Sequence, residues 1–188
     1  ELVKEHIPPE SLRSPETIPE VLRSIAKNNM AQLEEMTGLL GKEAQRALRL
    51  SLSDVEKKAG DIWFSVWPNT SLGIGAVIHG YAESGGVFYI VRGAMHEEIY
   101  SLRLADIEER VPTPTMRVPS FPTEGTTMTA PSHYVHSLAG FEGSGTLSTL
   151  SGFFPALKKV KIYQEGQHGE NLTLEKLGTM DVNDTVTS

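Results

Sequence analysis

The chain has 188 residues, a formal net charge of −7, 39% hydrophobic and 22% charged residues, and no cysteine. This composition is typical of one soluble globular domain. The acidic balance argues against nucleic acid or an anionic membrane as a partner, and the lack of cysteine excludes disulfides, thiolate metal sites and a cysteine nucleophile. The apolar runs are strand-sized and too short for a membrane span. We therefore expect a cytoplasmic protein, a monomer or homodimer, whose partner is a small molecule.

Residues 1–60 predict an N-terminal arm followed by short helices. Residues 1–17 are rich in proline and glutamate, which favours an arm lying over the surface. Over residues 18–59 apolar side chains recur every three or four positions, the period of an amphipathic helix: Ile18, Val21, Leu22, Ile25, Met30, Leu33, Met36 and Leu39. A break at Asn28–Asn29 predicts separate helices, and Lys42–Lys58 predicts a further one. We expect this part to pack on the domain that follows.

From Asp61 onward the pattern changes to short strands rich in β-branched and aromatic residues. The predicted strands are Ile62–Trp67, Ala76–Tyr81, Val87–Val91, Met95–Leu104, His133–Leu138, Thr146–Leu150, Val160–Tyr163 and Asn171–Lys176. The proline-rich stretch Arg110–Thr127 predicts a long loop that either seals one end of the domain or covers a ligand. Many short strands at regular spacing predict a β-sandwich or barrel over residues 61–180. Residues 181–188 predict a frayed polar tail.

Two stretches combine glycine, proline and histidine at regular spacing. They read Gly73-x5-His79-x-Tyr81-x4-Gly86-x6-Gly93 and Gly125-x5-Pro131-x-His133-x2-His136-x3-Gly140. They resemble the two motifs of the cupin superfamily, with the glycine and proline framework kept in both. The resemblance implies a mainly β fold: a cupin (double-stranded β-helix or jelly-roll) barrel with short N-terminal α-helices. Because residues i and i+2 of a strand point to the same face, His79 and Tyr81 would both enter the barrel, where His136 would join them.

The sequence around these motifs distantly resembles the cysteine (thiol) dioxygenase family within the cupins. The similar segments are Ile78–Tyr81, Val87–Tyr100 and the stretch from His136 to Leu157. This resemblance implies an Fe(II) site held by three histidines, but the ligand set is degenerate, because Tyr81 stands at the second iron histidine and Gly80 at the aspartate before it. The later histidine and tyrosine that assist catalysis in that family fall at Leu150 and Gly152.

The candidate site residues follow from these positions. The predicted catalytic residues are His79, Tyr81 and His136, as proton donors, proton acceptors or orienting groups. A metal would be held by His79 and His136, with Tyr81 as a possible third ligand because a phenolate can bind ferric iron. The predicted substrate-binding residues are Arg49, Tyr89 and His133.

Other polar and aromatic residues favour structural interpretations. Glu83 is interpreted as a turn residue on the solvent side, and His96–Glu98 as the solvated edge of a strand. Trp63 and Trp67 share a face of one strand, and we expect them to pack the barrel against the helices.

Three functions remain open from the sequence. The first is a small-molecule enzyme without the standard iron set, in which His79, Tyr81 and His136 serve an isomerase, cyclase or lyase. The second is an Fe(II)-dependent oxygenase similar to thiol dioxygenases, with an altered ligand set. The third is a non-catalytic cupin that only binds a ligand. The expected cofactor is accordingly none or Fe(II).

Overall fold

The computed structural model describes residues 17–40, 46–49, 61–67, 77–81, 84–100, 107, 109–131, 134–141 and 143–181, with the backbone alone for 39–40 and 46–49. Its helices are α1 Ile18–Asn28 and α2 Met30–Leu40. Its strands are β1 Arg46–Arg49, β2 Asp61–Trp67, β3 Ile78–Gly80, β4 Gly85–Arg92, β5 Met95–Tyr100, β6 Thr113–Pro114, β7 Arg117–Ser120, β8 Thr127–Ala130, β9 Val135–Gly140, β10 Leu147–Phe154, β11 Lys159–His168 and β12 Asn171–Asp181. The predicted arm before residue 17 and the tail after Asp181 lie outside the described residues.

The strands form two sheets whose order is that of a jelly roll. The first, which we call the helix-side sheet, has the order β1-β2-β10-β4-β8, and the second sheet has the order β6-β12-β11-β3-β9-β5-β7. The antiparallel pairs β2–β10, β3–β9, β4–β8 and β5–β7 join the first half of the barrel to the second half in reverse order. This is a long hairpin rolled into two facing sheets, the arrangement found in cupins. The predicted mainly β jelly-roll barrel with short N-terminal helices is therefore confirmed.

Helix α1 begins and ends at residues suited to those positions. Pro19 lies in the first turn, where its missing N–H leaves no hydrogen bond unmade. Glu20 in the first turn and Lys27 in the last turn complement the helix dipole. The side-chain amide of Asn29 donates to the carbonyl of Ile25 and closes the last turn. The break predicted at Asn28–Asn29 is confirmed, since α2 begins at Met30.

Two apolar layers lie on opposite faces of the helix-side sheet. The outer layer holds the helices against the sheet and includes Leu22, Phe64, Val87 and Leu150. The inner layer fills the space between the two sheets. Its members include Trp63, Trp67, Tyr81, Phe88, Ile90, Leu147 and Phe153. The alternation along each strand assigns its side chains to one layer or the other.

The structure corrects three sequence-based expectations. Within the predicted helix Lys42–Lys58, the described residues Arg46–Arg49 form strand β1 and pair with β2. The predicted loop Arg110–Thr127 contains the short strands β6 and β7 and the start of β8. Trp63 and Trp67 line the barrel interior and do not pack against the helices, and the indole nitrogen of Trp67 donates to the hydroxyl of Thr149 at 3.1 Å. Neither helix in the described part of the chain has the length and apolarity that crossing a membrane requires.

Candidate active site

A chain of four hydrogen bonds runs from the rim of the barrel into its interior. The carbonyl oxygen of Val77 lies 2.8 Å from Nδ1 of His79, and Nε2 of His79 lies 3.0 Å from the hydroxyl of Tyr81. The same hydroxyl lies 2.8 Å from Nε2 of His136, and Nδ1 of His136 lies 2.8 Å from Oε2 of Glu97. All four distances are within the normal range of hydrogen bonds. We call this set the proton chain.

Strand register brings these side chains together. His79 on β3 is directly opposite His136 on β9, and directly opposed side chains of antiparallel strands lie close together. On the other side of β9, His136 is opposite Ile99 of β5. Glu97 is two residues before Ile99 and shares its face, so it reaches His136 diagonally. Tyr81 follows β3 and is on the same face as His79.

The proton chain lies in an aromatic and largely dry environment. The rings of Phe88 and Phe153 pack against Tyr81 with centroids 5.9 and 4.9 Å away, and the ring of Tyr134 is 5.2 Å from that of His136. His136 is fully buried, and Tyr81 and Glu97 are 4% and 3% exposed. His79 is only partly buried. His79 is therefore the most exposed of the four side chains of the proton chain.

Burial shifts the pKa of every titratable member of the chain. It lowers the pKa of His79 to about 3, with a smaller contribution from nearby His136, and lowers that of His136 to about 3 as well. It raises the pKa of the Tyr81 phenol well above its ordinary value and that of Glu97 to about 7. The cause is common to all four, because an apolar surrounding disfavours whichever form is charged. Near neutral pH the two imidazoles and the phenol are uncharged, and Glu97 is the member that changes charge most readily.

With both imidazoles, the phenol and the carboxyl group uncharged, one assignment of donors satisfies all four bonds. A backbone carbonyl only accepts, so Nδ1 of His79 donates to Val77, and neutral His79 accepts the Tyr81 hydroxyl at Nε2. The Tyr81 oxygen then accepts from Nε2–H of His136. Nδ1 of neutral His136 is left as an acceptor, so Glu97 donates as a carboxylic acid. An ion pair of protonated His136 with a Glu97 carboxylate contains the same four hydrogens. In both arrangements four hydrogens make the four hydrogen bonds, and the site has no net charge.

The three predicted catalytic residues, His79, Tyr81 and His136, come together as one site. Glu97 is the member that the sequence analysis missed, because His96–Glu98 was expected to be a solvated edge. That expectation is wrong for Glu97, which faces the barrel interior, and also for His96, which is 8% exposed under the ring of Phe121. Nε2 of His96 lies 2.8 Å from Oε1 of Glu98 on the outer face. The signal for the burial of Glu97 is the alternation of side chains along β5, which places Glu97 on the face opposite His96 and Glu98.

Of the predicted substrate-binding residues, only Tyr89 has a described side chain, and it lies away from the proton chain. Tyr89 packs with the outer, helix-side layer, on the other face of β4 from Phe88. The backbone of Arg49 pairs with Trp63, a residue of the inner layer, but its side chain lies outside the described residues. His133 and Glu83 also lie outside them, so their roles stay predictions.

Leu150 and Gly152 occupy the positions of the dioxygenase family's later histidine and tyrosine, and both face away from the barrel interior. Leu150 is buried in the outer layer. A Cβ atom built on Gly152 would lie 2.4 Å from Cγ2 of Ile18 in helix α1. No side chain at either position would reach the proton chain, so this part of the resemblance does not extend to the site.

The donor set of the described residues does not fit the iron site that the cupin resemblance implies. No three His, Cys, Asp or Glu side chains in the described part converge on one point. The carboxyl group of Glu97 is bonded to Nδ1 of His136, on the far side of the ring from Nε2. The atom between the two Nε2 atoms is the hydroxyl oxygen of Tyr81.

Fold and site together define a jelly-roll protein with a buried His–Tyr–His–Glu proton chain. No protein-family model matches the sequence, and no curated protein is found similar to it. Among solved structures it is similar to the one described as FeII HppE, with 12% identity, a TM-score of 0.45, and 60% of this chain and 52% of that chain covered. Hydroxypropylphosphonic acid epoxidase from S. wedmorenis in complex with fosfomycin matches at 11% identity and a TM-score of 0.42, covering 57% of this chain and 51% of that one. DMSP lyase DddQ from Ruegeria pomeroyi DSS-3 matches at 12% identity and a TM-score of 0.36, covering 50% and 38%.

The chain spans about half the length of the first of these structures. At TM-scores and identities this low, the likeness carries no argument about function. The fold assignment rests instead on the strand order and on the reversed pairing of the two halves of the barrel.

Proposed function

We propose that the protein is a small-molecule cupin enzyme that moves a proton to or from a substrate at the partly exposed end of the proton chain. The observation that carries this proposal is the continuity of the hydrogen bonds from Val77 at the rim to the buried Glu97. Such a path suits an isomerisation, a cyclisation or an elimination, because these reactions need proton transfer without oxygen activation.

The proton chain can pass a proton to a substrate while His79, Tyr81 and His136 each end with the same number of hydrogens as before. A substrate atom that replaces the Val77 carbonyl accepts the hydrogen on Nδ1 of His79, while Nε2 of His79 takes the hydroxyl hydrogen of Tyr81. Tyr81 then takes the Nε2 hydrogen of His136, and His136 takes the hydrogen of Glu97 at Nδ1. One proton leaves Glu97 and one reaches the substrate. The reverse sequence removes a proton from the substrate.

Glu97 is suited to be the end of this path. A general acid or base is most effective when its pKa is close to the working pH, and burial raises the pKa of Glu97 to about 7. The two imidazoles, with pKa values lowered to about 3, pass a proton on more readily than they hold it. Glu97 therefore stores the proton, and His79 is the catalytic residue that contacts substrate.

The test is incorporation of solvent deuterium, followed by NMR, into a panel of small carbonyl and hydroxy compounds in D2O. The wild type should exchange at least one compound, and Glu97→Gln should abolish exchange, because an amide of the same size cannot give up its proton. Tyr134→Phe is the matched control, since Tyr134 packs on His136 outside the chain, and it should retain exchange. Equal exchange in wild type and Glu97→Gln would refute the pathway. Ligand-induced stabilisation with no exchange would identify a binding protein instead.

An iron-dependent oxygenase similar to thiol dioxygenases is the second candidate. The observation in its favour is that Nε2 of His79 and Nε2 of His136 point to one place, 3.0 and 2.8 Å from the same oxygen. The missing third imidazole in the described residues counts against it. Oxygen consumption with iron and cysteine, cysteamine or 3-mercaptopropionate would support this candidate, and its absence would remove the support.

A further inference from the structure

The hydroxyl of Tyr81 lies where a metal ion would bind the two histidines. We infer that this hydroxyl is the specificity-determining group that excludes transition metals from the barrel. The inference concerns ion binding and goes beyond the proposed reaction, so either can fail without the other. It rests on the two contacts of the Tyr81 oxygen, 3.0 Å to Nε2 of His79 and 2.8 Å to Nε2 of His136.

A metal ion and the Tyr81 hydroxyl conflict sterically. A transition metal binds an imidazole nitrogen at about 2.0–2.1 Å, along the direction of its lone pair. In this structure Nε2 of His136 donates to the Tyr81 oxygen, and Nε2 of His79 accepts from the Tyr81 hydroxyl. An ion placed along either bond would lie about 1 Å from that oxygen, which is far inside its radius. The ion and the hydroxyl therefore compete for one space.

The phenol also affects which nitrogen lone pairs are free. A metal needs the lone pair of Nε2 on both histidines. In the hydrogen count given above, His79 offers a lone pair at Nε2, but neutral His136 carries a hydrogen there and donates it to Tyr81. The phenol thus also favours the tautomer of His136 whose Nε2 carries a hydrogen and has no free lone pair for an ion.

The orientation of the two imidazoles is also like that of metal-binding histidines. Histidine ligands usually bond through their second nitrogen to a carbonyl or a carboxylate, which holds the ring in place. Nδ1 of His79 bonds to the carbonyl of Val77, and Nδ1 of His136 bonds to Glu97, both at 2.8 Å. Removing the phenol would leave two oriented imidazoles, and a third imidazole at position 81 would complete a ligand set.

The experiment compares binding of Co²⁺ and Zn²⁺ by the wild type, Tyr81→His, Tyr81→Phe and the matched control Tyr134→Phe. Equilibrium dialysis gives the affinity, and the visible absorption of Co²⁺ reports nitrogen ligation. We expect no stoichiometric binding by the wild type or by Tyr134→Phe. Tyr81→His should bind one ion per chain at least about 100-fold more tightly, since residues that only orient a ligand are already worth 10–100-fold. The double variant Tyr81→His with His136→Gln should lose this gain.

Tyr81→Phe keeps the aromatic ring, so it can still test the inference if Tyr81→His does not fold. It should bind Co²⁺ more tightly than the wild type, though less tightly than Tyr81→His, because two imidazoles are freed and no third is added. No gain in either variant would overturn the inference. So would one tightly bound ion per wild-type chain that Tyr81→Phe loses, or a visible iron(III)–phenolate band when Fe³⁺ is added to the wild type, because Tyr81 would then be a ligand.

Discussion

Gly152 lies directly against Ile18 of helix α1, with no room for a side chain between them. A Cβ atom there would lie 2.4 Å from Cγ2 of Ile18, whereas carbon atoms in contact are about 3.5–4.0 Å apart. Overpacking of this kind costs about 1–3 kcal/mol, and the lower entropy of the unfolded chain with alanine offsets about 0.4–1 kcal/mol. Gly152→Ala should therefore reduce the free energy of unfolding by about 1–2 kcal/mol and, at about 2–4 °C per kcal/mol for a chain of this size, lower the Tm by several degrees.

A double-mutant cycle with Ile18→Ala tests the cause of that loss. Ile18→Ala alone should cost about 2–5 kcal/mol because it leaves a cavity. In its background, Gly152→Ala should be neutral or stabilising, since the added methyl group enters that cavity, and the coupling should be about 1–3 kcal/mol. Gly178→Ala is the matched control, because a Cβ on this strand glycine meets nothing within 4 Å. Denaturant unfolding measures all five chains. An equal cost of Gly152→Ala in both backgrounds would refute the docking of α1 described here.

Three further predictions concern the charges and the barrel interior. Because the folded-state pKa of Glu97 is raised from 4.5 to about 7, its proton stabilises the fold fully below pH 4.5, and this contribution is lost as the pH rises through 7. The free energy of unfolding of the wild type, measured relative to that of Glu97→Gln in denaturant titrations, should therefore fall by up to about 3 kcal/mol as the pH rises from 4.5 through 7. If the free-energy difference between the two proteins did not change with pH, this would contradict the burial of Glu97. Trp67→Phe should destabilise the protein by about 1–3 kcal/mol, since Thr149 loses a buried partner, and pairing it with Thr149→Val should recover part of the loss in the same assay. Arg92 bridges Glu34 of α2 and Glu124 at the surface, so Arg92→Ala should cost no more than about 1 kcal/mol and less in high salt; a larger, salt-independent loss would show that the bridge is structural.

The sequence predicted the barrel because the residue spacing that identifies strands is a local property of the chain. Glycine-punctuated alternation identifies strands, and the motif positions of His79 and His136 place two imidazoles in the interior. Residue spacing does not show which strands are neighbours. The structure shows that β3 and β9 pair and that His79 and His136 lie directly opposite each other. Strand β1 could not be predicted in the same way. Its residues Arg46–Arg49 favour helices by intrinsic propensity, and their pairing with β2 overrides that preference.

Glu97 could not be found from local pattern because its burial depends on a distant partner. A run of three polar residues on a strand is most often solvated, and alternation says only that the middle one differs from its neighbours. What makes burial of its carboxyl group tolerable is the hydrogen bond to His136, 39 positions away, since an unpaired buried carboxylate would be far too costly. The interior positions of Trp63 and Trp67 have the same origin, because only the packing of two sheets decides which face of β2 is inside.

Tyr81 and Glu97 depend on each other through His136, although no motif links them. A phenol between two imidazoles can donate one hydrogen and must accept another, so it fixes His136 with its hydrogen on Nε2. Nδ1 is then an acceptor, and a carboxylate there would place two acceptors 2.8 Å apart, at a cost of about 1–3 kcal/mol for the buried contact left unmade. A protonated Glu97 removes this cost, and the apolar surroundings that raise its pKa favour that form. The described site is therefore a complete hydrogen-bonded unit, in which Tyr81 and Glu97 together fix the hydrogens of His136.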